Sequence, residues 1–323
     1  MNIRFKPLVA IILGLALFAG TVAAADGKKK VVFVSKGVHP FWTTVAGGVE
    51  HGAKTNNLDA VILHPDKSDN AERQVTYMYD AIATKPDAII LAPVEMDALV
   101  EPCKDAMEQG IPVILVDTTI STDDYVIGFA TNNETAGRMA ADTMADMLGK
   151  KGKVFILSTN AAASSDSARE RGFRERVKEA YPEINVIGSF YHEGNMSVAT
   201  TQTLDIIMAN PDLVGFYCIN DYSTMGCGNG LIQAGRTDIK IVGFDANEDI
   251  VALMEEGVVD AQMVQQPVRM GELGSEAAAK VFKGELKMSD APYGIQDTGC
   301  TVVPKERVNE EAMQKLLFPL NFL

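Results

Sequence analysis

Two doubly wound parallel sheets of similar size, with helices on both faces of each, are the architecture this sequence predicts. Three observations lead there. Short β-branched, apolar runs recur along the whole chain and alternate with helix-length stretches. Most of the runs are continuous rather than alternating, the pattern of strands buried on both faces. The chain has 323 residues, which at ~100–200 residues per domain favours two domains.

In chain order the strand-like runs are Val31–Ser35, Ala60–His64, Ala88–Ala92, Pro112–Asp117, Lys153–Ser158, Asn185–Phe190, Leu213–Asp221, Lys240–Asp245 and Ala261–Gln266. Helical stretches between them include Phe41–Asn56, Asn70–Thr84, Glu134–Leu148, Ser167–Ala180 and Val198–Met208. Asn70 and Asp97 can cap helix starts, Gly110 and Gly149 follow helix ends, and Pro86, Pro112 and Pro182 stand just beyond. Strand–helix–strand repetition implies parallel pairing. The polar Thr131-Asn132-Asn133 after Val126–Ala130 marks the first candidate boundary between the two units.

Residues 1–25 have the form of a secretory signal peptide. Arg4 and Lys6 precede an apolar run from Leu8 to Ala19, and Ala23-Ala24-Ala25 supplies an A-x-A cleavage site. The run is shorter than the ~20 residues of a spanning helix. The expected mature chain therefore begins at Asp26 and works outside the cytoplasm, which counts against ATP, NAD or genomic DNA as ligands. The formal charge of −14 makes nucleic acid and anionic membrane surfaces poor partners. Four cysteines, Cys103, Cys218, Cys227 and Cys300, are too few for a disulfide scaffold and show no C-x-x-C spacing. Cys218 in a buried strand and Cys227 in the helix after it are expected to lie close together. No cofactor is expected.

Ligands of open parallel sheets bind beyond the carboxyl ends of the strands. His39-Pro40-Phe41-Trp42 follows the first run, Asp117 ends the fourth, and Arg169 lies past the small-residue loop after Lys153–Ser158. Asn220 and Asp221, Asp245, and Gln265 end three later runs. Carboxylates, carboxamides and a guanidinium can each engage two hydroxyls at once, and aromatic rings can cover the apolar face of a sugar. Each residue also has a plainer role open to it. Asp117 and Asp245 could cap turns, Arg169 could be a solvated helix residue, and Phe41 and Trp42 could staple a helix start.

At these residues the sequence resembles the bacterial periplasmic sugar-binding proteins of the type I fold, the ribose-binding group in particular. The resemblance rests on Ser35…His39-Pro40-Phe41-Trp42, Pro112–Asp117, Ser167–Phe173, Asn220-Asp221, Val242-Gly243-Phe244-Asp245 and Gln265-Gln266-Pro267, in this order. It implies two lobes joined by a three-segment hinge: residues 26–131 with 267–296, and residues 132–266 with 297–323. It also implies ligand contacts from His39, Phe41, Trp42, Asp117, Thr118, Arg169, Asn220, Asp245 and Gln265. The implied activity is capture of a sugar or polyol by a monomer that delivers it to an ABC permease. Presentation of the ligand to a chemoreceptor or sensor kinase is the alternative.

Three positions depart from the pattern. His39 stands where the ribose group has Asn, Thr118 where it has Arg, and Tyr191-His192-Glu193-Gly194-Asn195 where it has a further aromatic. Loss of that arginine removes a bidentate donor and points away from ribose, toward a larger or differently substituted sugar or a polyol. The acidic surplus leaves an amine-bearing sugar open. A hydrolase is disfavoured, because the chain has no G-x-S-x-G or H-E-x-x-H and only four histidines. His39, His192 and Glu193 have no metal-site spacing.

Overall fold

The computed structural model describes residues 27–66, 70–161 and 163–323. The expected signal peptide and cleavage site lie outside the described residues. Among those residues the chain forms twelve strands and ten α-helices in two lobes. The first lobe takes β1 (Lys29–Val34), α1 (Pro40–Thr55), β2 (Leu58–Leu63), α2 (Ala71–Ala83), β3 (Ala88–Leu91), α3 (Val100–Glu108), β4 (Val113–Val116) and β5 (Ile127–Ala130). The second takes α4 (Asn133–Leu148), β6 (Gly152–Ser158), α5 (Ser164–Ala180), β7 (Ile184–Tyr191), α6 (Met196–Ala209) and β8 (Leu213–Cys218). It continues with α7 (Asp221–Ala234), β9 (Lys240–Phe244), α8 (Glu248–Glu255) and β10 (Ala261–Gln265). The chain ends with α9 (Pro267–Phe282), β11 (Ile295–Asp297), β12 (Cys300–Pro304) and α10 (Glu311–Leu317).

Strand order is β2-β1-β3-β4-β5-β11 in one sheet and β7-β6-β8-β9-β10-β12 in the other. All pairings are parallel except that of β12 with β10. The continuous apolar runs are central strands: Val31–Val34, Ala88–Leu91 and Val113–Val116 are buried throughout because helices cover both faces. Each sheet has a core on either side.

Two local readings need correction. The run Leu213–Asp221 is a strand only to Cys218; Asn220 turns the chain by accepting from Ser223 N–H, and Asp221 is already helical. Asp97 caps nothing with its side chain, and α3 starts at Val100 without a side-chain cap. Asn70 does cap α2, and Gly149 closes α4 in the left-handed conformation.

The chain passes between sheets after β5, between β10 and α9, and between β11 and β12. α9 packs on α1, β4 and β5, and so returns to the first lobe. The crossings are tied together. Asp297 Oδ1 accepts from the backbone N–H groups of Asn132 and Gly299, and Thr298 N–H donates to Ala130 O. Gly299 sits at φ 84°, where a side chain would be strained. Beyond residue 297 the chain stays with the second lobe through β12 and α10, whose Met313 and Leu317 join that lobe's core, and only the last turn leaves it. The turn Pro319–Phe322 reaches α1, and Leu320 fills the space that a Cβ on Gly47 would need.

All four cysteines are free thiols, and Cys218 and Cys227 are close enough to hydrogen-bond. Burial pushes the Cys103 and Cys300 thiols up to about 12. Reaction of the native protein with an aromatic disulfide reagent at pH 8 is therefore expected to be slow at every cysteine, with four thiols released on unfolding. Rapid modification of two in the native state would contradict the packing.

Candidate functional site

The carboxyl ends of both sheets face one cleft of about 430 Å³ between the lobes. The first lobe contributes Lys36, His39, Phe41, Trp42, Glu95 and Asp117 to its wall. The second contributes Asp166, Arg169, Glu193, Asn220, Asp221, Tyr222, Asp245 and, at a crossing, Gln265. A wider depression of about 570 Å³ lies at the opposite edge of the first sheet, around Lys29, Asp87 and Phe282. It sits at the amino ends of the strands and does not join the lobes.

The lobes present their aspartates in equivalent ways. Asp117 follows β4 and Asp245 follows β9, the fourth strand of its own lobe. Both take a left-handed backbone, at φ 68° and 69°. Their N–H groups donate to Phe129 O and Met263 O on the neighbouring strands, both at 2.8 Å. The sheet thus holds each residue in a conformation that non-glycine residues seldom adopt, and the side chain is directed off the strand end into the cleft.

Arg169 is nearly fully buried at the floor of the second lobe. Its Nε donates to Asn133 Oδ1 and one terminal nitrogen to Ile219 O, both at 2.8 Å. The guanidinium lies 3.6 Å from the centre of the Phe244 ring and 4.0 Å from Asp245. This placement depends on α4 and α5 crossing backbone to backbone. A Cβ on Gly137 would overlap the Arg169 carbonyl, and one on Gly172 that of Glu134.

Burial raises the Asp245 carboxyl to about 6, opposed by Arg169 and reinforced by the charges of Asp221 and Asp117. Gln265 Nε2 donates to Asp245 Oδ1 at 2.6 Å, while Gln265 Oε1 is buried with no hydrogen-bond partner in the protein. Asp166 is also pushed up by burial, although Arg169 and the N–H groups of Asn160 and Thr159 favour its charge. In the first lobe, Lys36 Nζ stands 3.2 Å from Asp117 Oδ2 and 5.1 Å from the centre of the Trp42 ring. Phe41 meets Trp42 edge to face at 4.9 Å.

Of the nine site residues expected from sequence, eight line this cleft: His39, Phe41, Trp42, Asp117, Arg169, Asn220, Asp245 and Gln265. Thr118 does not; it is buried and its hydroxyl donates to Pro93 O at 2.8 Å. Lys36, Glu95, Asp166 and Tyr222 were not anticipated there, while Asp221, named with Asn220 at the end of its run, also lines the cleft. Behind Asn220 stands a second unanticipated group. Ser223 Oγ donates to Asn220 Oδ1 and is met by His192 Nε2 at 2.7 Å. Desolvation lowers His192 to about 4, so it is neutral here and donates through Nε2. Among the described residues, no group of three or more His, Cys, Asp or Glu side chains is placed to hold a metal ion, and no helix is long and apolar enough to cross a membrane.

This geometry has close parallels. The ribose import binding protein of Escherichia coli is 26% identical over 294 residues, covering 91% of this chain and 98% of its own. The xylitol-binding protein of Mycolicibacterium smegmatis is 28% identical over 286 residues, covering 88% and 81%. An ABC transporter solute binding protein from Agrobacterium vitis, solved with bound D-fucose, superposes with a TM-score of 0.82 at 30% identity, covering 90% of this chain and 100% of that one. Residues 30–286 match the family described as periplasmic binding protein domain, and the chain belongs to that family.

Proposed function

We propose that this chain is an exported solute receptor that captures a sugar or polyol between its lobes and delivers it to an ABC importer. One observation carries the reading: carboxylate, carboxamide and guanidinium groups from both lobes converge on one cleft beside two aromatic rings. A hydroxylated ring satisfies such groups in pairs while its C–H face lies on an aromatic. The relatives named for ribose and xylitol, and the neighbour holding D-fucose, support this ligand class. Asp117, Asp245, Arg169, Asn220 and Gln265 are the proposed hydrogen-bonding contacts, with Phe41 and Trp42 as the stacking surface. Thr118 acts through the Pro93 loop rather than on the ligand. The three crossings near residues 131, 266 and 298 are the proposed hinge. Residues 1–25 are the proposed export signal, and the working form is a monomer in the periplasm.

The test is a thermal-shift screen of the mature protein against neutral and amine-bearing sugars and polyols, because a specific ligand raises the melting temperature by mass action. Trp42 is the only tryptophan in the sequence and stands at the cleft. Titration with the screened ligand is expected to change its emission while small-angle scattering shows a smaller radius of gyration. A tight ligand that alters neither would sink hinge closure, and a screen without any stabilising sugar or polyol would sink the ligand class.

A further inference from the structure

One pair of side chains in the cleft wall joins the lobes directly. His39 heads α1 in the first lobe, and Asp221 opens α7 in the second. His39 Nδ1 accepts the Phe41 N–H at 3.2 Å, as the N-cap of its helix. The ring proton therefore sits on Nε2, which stands 3.1 Å from Asp221 Oδ2. The carboxylate is fixed in turn, since Asp221 Oδ1 accepts the Tyr222 N–H at 2.8 Å. Tyr222 also meets the edge of the imidazole at 5.3 Å. The His39 and Asp221 side chains are only 15% and 9% exposed, so their contact is shielded from water.

We propose that His39 and Asp221 form a clasp that fastens the two lobes over the ligand, His39 acting as a positioning residue rather than as a sugar contact. The inference rests on the reading of the cleft as a closing sugar site. Both ring nitrogens are engaged by protein groups, and each partner is held by its own helix start before they meet. Little ordering is lost when the lobes come together. A contact made between protein groups alone stabilises the closed form equally for every ligand that allows closure. It therefore sets how long a ligand stays and leaves the choice between ligands to the groups deeper in the cleft. Rupture of a shielded, hydrogen-bonded pair of this kind acts mainly on the dissociation rate.

Two substitutions separate the clasp from other roles. His39→Asn keeps an acceptor for the Phe41 N–H but is too short to reach Asp221, and Asp221→Ala removes the other half. Stopped-flow Trp42 emission with the screened sugar is expected to show dissociation about 10–100-fold faster in each variant, with association changed far less. The double variant should be no worse than the more affected single one, and the order of preference among sugars should be unchanged. Urea midpoints close to wild type would show that the fold is intact. Additive losses, a reordered sugar preference, or unchanged dissociation would each overturn the clasp. If no sugar or polyol binds the wild type, the sugar reading fails. The clasp, which fastens the lobes over a bound ligand, then falls with it.

Discussion

Asp245→Asn is expected to weaken ligand binding by about 10–1000-fold and at the same time to raise the melting temperature. The two effects share one cause. A carboxylate between the lobes is costly to the protein and useful to the ligand. Its carboxyl is raised to about 6, so the folded state holds its proton more tightly than the unfolded chain does. Between pH 4 and pH 6 the unfolded state ionises first, and the destabilisation grows with pH until it is complete above about 6. The side chain keeps 14% of its surface exposed, so the cost at pH 7 is taken as ~1–2 kcal/mol rather than the full value of the shift. Asparagine keeps an acceptor for Gln265 Nε2 and carries no charge. Ligand hydroxyls that donate to Asp245 favour its ionised form and lower its pKa again. Binding should then release a proton near pH 6 and weaken by up to about tenfold from pH 7 to pH 5. Thermal melts from pH 4 to 8 and calorimetric titrations in two buffers of different ionisation enthalpy read both effects. Wild-type affinity in the variant, or a lower melting temperature at pH 7, would reject this account.

Four of the residues assigned to the cleft from sequence share a property. Asp117, Asn220, Asp245 and Gln265 each follow an apolar run directly, so the strand end that positions them is visible in the one-dimensional pattern. Lys36 lies two residues past β1 and would have been caught by the same rule, but a lysine outside a strand reads as a solvated charge. Only the fold shows it shut between Asp117 and Trp42. Asp166 begins a charged helix with little apolar periodicity, which again reads as solvated surface. Its burial depends on the loop after β6 turning the N–H groups of Thr159 and Asn160 onto it. Thr118 stands outside the cleft lining for the opposite reason. It is adjacent in sequence to a cleft residue, yet the left-handed turn at Asp117 leads its side chain away to Pro93.

The architecture was legible wherever strands are buried on both faces. It was not legible at β11 and β12. The three residues of β11 are all exposed and carry no apolar signal, and β12 is mostly half-buried. Both strands are defined by partners more than a hundred residues or several elements away, β5 and β10. Helix crossings escape sequence reading likewise. The glycines of α1 and α9, such as Gly48 and Gly271, look like weak points in helices until each is seen against the other helix's backbone.

Arg169→Met is expected to have the opposite effect on stability to Asp245→Asn, while harming binding at least as much. The guanidinium is the positive group that lowers the ionisation cost of both Asp245 and Asp166. It also satisfies Asn133 Oδ1 and the carbonyl of Ile219, so its loss leaves buried acceptors unpaired. Breaking a buried charge pair from one side typically costs ~3–5 kcal/mol, because the remaining charge is stranded. A fall in melting temperature of several degrees is expected, together with a loss of ligand affinity of more than about 100-fold. Lysine should rescue little. A single ammonium cannot donate to both Asn133 and Ile219 from above the Phe244 ring as the fork does. The decisive comparison is the double variant. Where Asp245→Asn has already removed one carboxylate, Arg169→Met should destabilise clearly less than it does alone, since less charge is left stranded. Denaturant midpoints of the wild type, both single variants and the double variant close that cycle. Strict additivity would mean that Arg169 supports the fold through its carbonyl and aromatic contacts only, and that its charge does nothing for Asp245.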